Sequence, residues 1–482
     1  MIPHLRRGVC HLSIVVAALV EGSTGAFAHT LVTPYNLPIP FHDYVYACAA
    51  TLLLTFGVLA FVTGDTTADG PQPRRGVMLG RILPAVGQAG AVVLLALTIA
   101  AGVWGTPSPV ANIAPTLFWV GMMLGLTVVT VLVGDVFQII NPWHVLVRLL
   151  GVGEQPLLRY PAALAYWPAF VCYLGLELLE LMAAPRPVLL ALALLAYTMI
   201  TGVGAALFGS AAWFEKAEFF SVFFRMVGTL APVAYRRDTV LGRWRAYSRW
   251  PLSGTLEHES SDLSLVLFIL FMLAATTYDG VWQTSFWTGL YWTNLMHWLH
   301  PFWGSDMARA QRLLSPGFLV YQRGGLIVAP FVYLALYMAV MLVMRGLTGG
   351  RITTRALALQ FAFSLIPIAV VYMIAHSWTS LLTTIPVIPF LLTDPFGIGW
   401  NLLGLPRMSA DPAPLDMGQV WHMEVALILV GHVASVWLAH RIAQRTLPSQ
   451  RQAWICELPL LLMMVGYTFL GLAVLSLPLA LH

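Results

Sequence analysis

The chain has 482 residues, of which 59% are hydrophobic and only 10% charged, and its mean hydropathy is +0.79. A soluble protein carries roughly a quarter charged residues, so the composition excludes a soluble enzyme or binding module and places the chain among polytopic membrane proteins. The net charge of +4 is owed to arginine, since Lys216 is the only lysine, and the arginines sit in short loops between apolar runs rather than on one basic face, which excludes nucleic acid as a partner.

Met1 to Ala28 reads as a secretory signal: Arg6 and Arg7, an apolar run from Leu12 to Val20, then small residues ending in Ala26, Phe27 and Ala28. Cleavage there leaves His29 as the mature N-terminus, with a free α-amine and an imidazole that together can chelate copper. Residues 29–482 then form a single transmembrane helical domain. Ten apolar runs follow, each near the 20 residues that cross a bilayer. They lie at Asp43 to Val62, Ile82 to Trp104, Pro115 to Ile139, Pro161 to Leu181, Pro187 to Phe208, Leu263 to Trp282, Gly324 to Met344, Arg355 to His376, Val420 to His440 and Cys456 to Leu477. The fold expected is an all-α polytopic bundle with the lipid bilayer as its solvent. Cys10, Cys48, Cys172 and Cys456 show no metal or ribbon spacing and read as free thiols.

With His29 outside, eighteen basic side chains fall in inner loops, five in outer loops and two in the leader. That asymmetry predicts ten spans with both mature termini outside. Two loops are long. The inner one contains AEFFSVFFRMVGTLAP, too short to span and expected at the membrane interface; the outer one contains SFWTGLYWTNLMHWLHPFW, whose aromatics suit the headgroup belt.

The predicted outer half collects most of the side chains that carry chemistry. Glu177 and Glu180 stand at i and i+3 on one helix face, Asp279 ends the sixth span, His297 and His300 share a face, His376 ends the eighth span, and His422 and Glu424 begin the ninth. Two carboxylates in an apolar helix are costly unless a cation, a partner or a proton neutralises them. His432, about 15 Å below His422, falls near mid-membrane. It reads either as a functional group or as a neutral imidazole bonded to a neighbouring helix carbonyl. Asp394, in a loop with two glycines, reads as a turn former.

Seven strings occur in order: AHTLVTPYNLPIP, GDVFQIINPW (Gly134 to Trp143), FGSAAWFEKAEFFSVFF (Phe208 to Phe224), TTYDG, AHS, DPFGIGW and GHVASVWLAH (Gly431 to His440). Together they resemble a bacterial family of polytopic membrane proteins called fenitrothion hydrolases, over nearly the whole chain. The resemblance implies a bacterial inner-membrane protein, hydrolysis of organophosphorus triesters and a second membrane subunit as partner; it carries no catalytic residues across. AHS and LAHR stand here where the family has AHY and LAHD, so no acid adjoins His440 in the sequence.

Two functions follow as expectations. The first is an outward-facing hydrolase that uses a divalent metal (zinc, copper or manganese) to make hydroxide at neutral pH and to polarise the phosphoryl oxygen. Its ligands are expected among His376, His422, His297, His300, His29 and Glu180, with Glu177, Asp279 or Glu424 as base. No G-x-S-x-G motif supports a serine nucleophile. The second is a transport or metal-handling protein in which Glu177, Glu180, His376 and His432 form a path through the bundle with His440 at its inner exit.

Overall fold

The structure is a computed structural model that describes residues 41–62, 76–152, 156–182, 186–238, 241–258, 260–303, 306–404, 416–447 and 449–476. The signal sequence and His29 lie outside the described residues. Fifteen helices dominate. The first are α1 (Phe41–Val62), α2 (Ile82–Trp104), α3 (Ile113–Val133), α4 (Pro142–Leu149), α5 (Trp167–Met182), α6 (Pro187–Phe208), α7 (Ser210–Lys216) and α8 (Phe219–Gly228). They are followed by α9 (Leu263–Val281), α10 (Ser285–Trp303), α11 (Met307–Leu347), α12 (Thr354–His376), α13 (Trp378–Thr393), α14 (Met417–Thr446) and α15 (Gln450–Ser476). Among the described residues nine of these are long and apolar enough to cross a membrane. The first expected span appears as α1, 22 residues packed against α14 and α15.

Helix α9 is the axis of the bundle, buried without a break from Ser264 to Tyr278. A helix apolar on every face has no solvent-facing side and must be surrounded; α5, α11, α12 and α15 surround this one. The α12–α14 contact is close because Gly431 has no side chain: a Cβ there would lie 2.9 Å from Val371 Cβ and 3.1 Å from the Pro367 carbonyl. Small residues at such crossings let helix backbones approach in membranes. α11 carries Pro316 and Pro330 within its 41 residues, tolerable in a bundle that re-satisfies the freed carbonyls.

Two local features differ from the sequence expectation. The AEFFSVFF segment does not lie at an interface: α8 is inserted in the core, with Phe219, Phe220, Phe223 and Phe224 all 2% exposed or less. The buried Glu218 carboxylate makes this possible. It caps α8 by accepting from Phe220 N at 3.2 Å and Ser221 N at 2.8 Å, and it takes further hydrogen bonds from Asn141 Nδ2 and the Tyr197 hydroxyl. The second feature is a small antiparallel sheet where no strand was expected. β1 (Gly76–Met78), β2 (Val233–Arg237) and β3 (Trp244–Ser248) pair in the order β1-β3-β2, with Gly76 opposite Tyr247 and Val233 opposite Ser248. Gly134, at φ 105° just after α3, is where β2 comes in, and a Cβ there would collide with the Val233 carbonyl. The bundle thus has a sheet end and an opposite end.

Candidate functional site

Asp279, in the last turn of α9, and His376, the last residue of α12, meet at the end opposite the sheet. His376 Nε2 lies 2.8 Å from Asp279 Oδ2, and Trp282 Nε1 donates to Asp279 Oδ1 at 3.3 Å. The two paired side chains are only 15% and 18% exposed, so little water screens the pair. Glu424, buried on α14, lies within electrostatic reach of His376. Glu177 and Glu180, one turn apart on α5, are within reach of Asp279 and of each other. Four carboxyls from three helices and one imidazole from a fourth therefore share one neighbourhood. Glu424 and Asp279 are largely withdrawn from water, Glu177 is half-buried and Glu180 is exposed, so the inner members of the group require neutralisation by a partner, a cation or shared protons.

The remaining expected residues lie elsewhere. His422 is exposed; its Nδ1 donates to Gly418 O at 2.6 Å, which leaves Nε2 to accept the Tyr44 hydroxyl at 3.4 Å. The cause is helical geometry. Residues two apart on a helix point about 200° apart, so α14 turns Glu424 toward His376 and His422 toward α1. His297 is exposed on α10, and the side chain of His300 on the same helix lies outside the described residues. Among the described residues no group of three or more His, Cys, Asp or Glu is arranged to hold a metal ion. The described members of the expected ligand set, His376, His422, His297 and Glu180, form no such group.

The structure adds groups that the sequence reading missed. His440 has an acid partner after all, taken from the next helix: its Nδ1 lies 3.0 Å from Glu457 Oε2, and Gln444 Nε2 donates to its Nε2 at 3.1 Å. Both members of the pair are at most 1% exposed. The signal available was Glu457 itself, an acid within an apolar span. Between the two polar ends lies His432, 3% exposed, whose Nδ1 donates to Ile428 O of its own helix at 2.8 Å. Asp394 is a turn former, accepting from Ile398 N at 3.1 Å and Gly399 N at 2.6 Å.

At the sheet end, the GDVFQIINPW and AEFFS strings pack together around a pocket of about 300 Å³, lined among others by Asp135, Asn141, His144, Arg225, Tyr235 and Arg249. Burial pushes Asp135 up to about 6, against the opposing hydrogen bond from Gln138 N and the charge of Arg225. Burial, with Arg148 and Arg237 adding to it, holds His144 below the usual histidine range. No protein-family model, no curated protein and no solved structure matches this chain.

Proposed function

We propose that the protein carries protons across the bilayer along a carboxylate and histidine path, entered at the Asp279–His376 cluster and left near His440 and Glu457. The observation that supports this reading is the Asp279–His376 pair at the ends of two membrane helices, with Glu424 within electrostatic reach of His376 and Glu177 and Glu180 within reach of Asp279. Ionisable groups at such depth mark proton relays and ion pathways. The arginine asymmetry supports an orientation with the acid cluster on the outer side.

The test is proton flux into liposomes holding the purified protein, driven by a potassium diffusion potential and read with a trapped pH dye. The wild type is expected to acidify the lumen, and Asp279→Asn to reduce the rate at least tenfold. A wild type that moves no protons above empty liposomes overturns the reading.

A second reading keeps the organophosphorus triester hydrolase suggested by the ordered motifs, with a divalent metal and with Glu177, Asp279 or Glu424 as base; the meeting of those three acids favours it. Triester hydrolysis abolished by a chelator and restored by zinc, copper or manganese, without proton flux, would put this reading first.

A further inference from the structure

His432 is separated from the acid cluster by a belt of tyrosines. Tyr372 lies one turn before His376 on α12, their rings 6.5 Å apart. Tyr333 donates its hydroxyl to Thr277 Oγ1 at 2.9 Å and stacks on Tyr467, centroids 5.4 Å apart. Thr277 is two residues before Asp279. Enclosed by these side chains is a cavity of about 10 Å³, lined by Thr277, Tyr333, Tyr372, His432 and Tyr467 together with apolar side chains. Three of its polar atoms are buried without a hydrogen bond of ordinary geometry among the described residues: Nε2 of His432, the hydroxyl of Tyr467, and the hydroxyl of Tyr372, which has Thr277 within reach. Native proteins rarely leave one such atom unsatisfied, and three around one space is a larger deficit.

The chemistry of the cavity lining is specific. His432 Nδ1 faces a carbonyl, which can only accept, so Nδ1 bears the proton and Nε2 of the neutral ring is an acceptor. The two phenols can each donate or accept. A space of roughly 10–15 Å³ with two to four polar partners is what one water needs. An apolar ligand would leave all three atoms unsatisfied, and a cation would find no carboxylate among the lining side chains.

We propose that one water molecule is bound between His432, Tyr372 and Tyr467, and that it joins the acid cluster to His432, making this imidazole the mid-membrane proton carrier. The relay role rests on the proton-carrying reading above; the water site does not. In the transfer step an O–H bond of the water breaks as an N–H bond forms at Nε2. The water takes a replacement proton from the Tyr372 hydroxyl, whose oxygen is in turn refilled from the Asp279–His376 side. One proton moves, no electrons are exchanged, and the imidazolium releases its proton toward His440. That residue is eight positions on, about 12 Å along α14 at 1.5 Å per residue.

The experiment combines a density map that resolves ordered water with the flux assay on His432→Asn, Tyr467→Phe and Asp279→Asn. The proposal expects a single water peak in the wild-type cavity. It expects His432→Asn to keep that water, since the amide still offers polar atoms, yet to conduct at least tenfold more slowly, since an amide takes up no proton at this pH. Tyr467→Phe removes one anchor and is expected to slow flux severalfold. A map with an empty cavity overturns the water site. If Asp279→Asn stops flux but His432→Asn conducts like the wild type, the relay through His432 is overturned while the proton path stands. If the wild type itself does not conduct, the carrier role falls and the density alone decides the water.

Discussion

Glu424 and His422 sit two positions apart on α14, and that spacing decides their chemistry: one faces His376 and the other faces Tyr44. Glu424→Gln is therefore expected to slow proton flux severalfold, whereas His422→Ala leaves it within about twofold in the same liposome assay. A second residue-scale expectation concerns Asp135, outside the spans at the sheet end. Burial lifts its carboxyl above the usual aspartate value to about 6 in the folded protein. The folded state therefore binds this proton more tightly than the unfolded chain does. The stability this confers is complete below the unfolded value and is lost as pH rises through about 6. Asp135→Asn keeps an oxygen for the Gln138 N–H and removes the titration. The variant is expected to melt above the wild type by a margin that grows between pH 4 and 6, levels off above, and reaches at most roughly 3 kcal/mol. Thermal unfolding in detergent across that pH range measures it; a margin independent of pH would refute it.

At the scale of elements, the α12–α14 crossing is set by Gly431. Gly431→Val places branched carbon against Val371 and the Pro367 carbonyl and is expected to cost about 1–3 kcal/mol by overpacking. Because His376 and Glu424 ride on these two helices, proton flux should fall with it, and Gly431→Ala should fall between the variant and the wild type on both measures. The spans were legible in the sequence because a membrane helix is recorded in its own apolar run, independent of neighbours. Helix α8 was not, because a ten-residue, largely apolar helix can lie on a membrane or enter a core. The choice is made by Tyr197 and Asn141, which reach Glu218 from 21 and 77 residues away in sequence. The candidate site was half legible for the same reason. The carboxylates of the cluster and His376 announce themselves as polar groups in apolar spans, but which of them meet depends on helix rotation. That rotation excluded His422 and supplied Glu457 to His440.

On the scale of the whole molecule, the acid cluster and the sheet end lie at opposite ends of the bundle, so the side each one faces determines the direction of any path between them. The arginines point to the sheet end as the cytoplasmic one, because the stretch from Lys216 to Arg249, with Arg345, Arg351 and Arg355 about the α11–α12 junction and Arg441, Arg445 and Arg451 about the α14–α15 junction, holds 13 of the 25 basic residues. This orientation is tested with single cysteines in a cysteine-free background. A cysteine at Ser409, in the segment before α14, is expected to react with an impermeant thiol reagent in intact spheroplasts, whereas one at Ser449, between α14 and α15, reacts only after lysis. The reverse labelling would turn the acid cluster to the cytoplasm. A proton path would survive that result with its entrance and exit exchanged. An outward-facing hydrolase would not, because its substrate would then have to reach the cluster from the other side of the membrane.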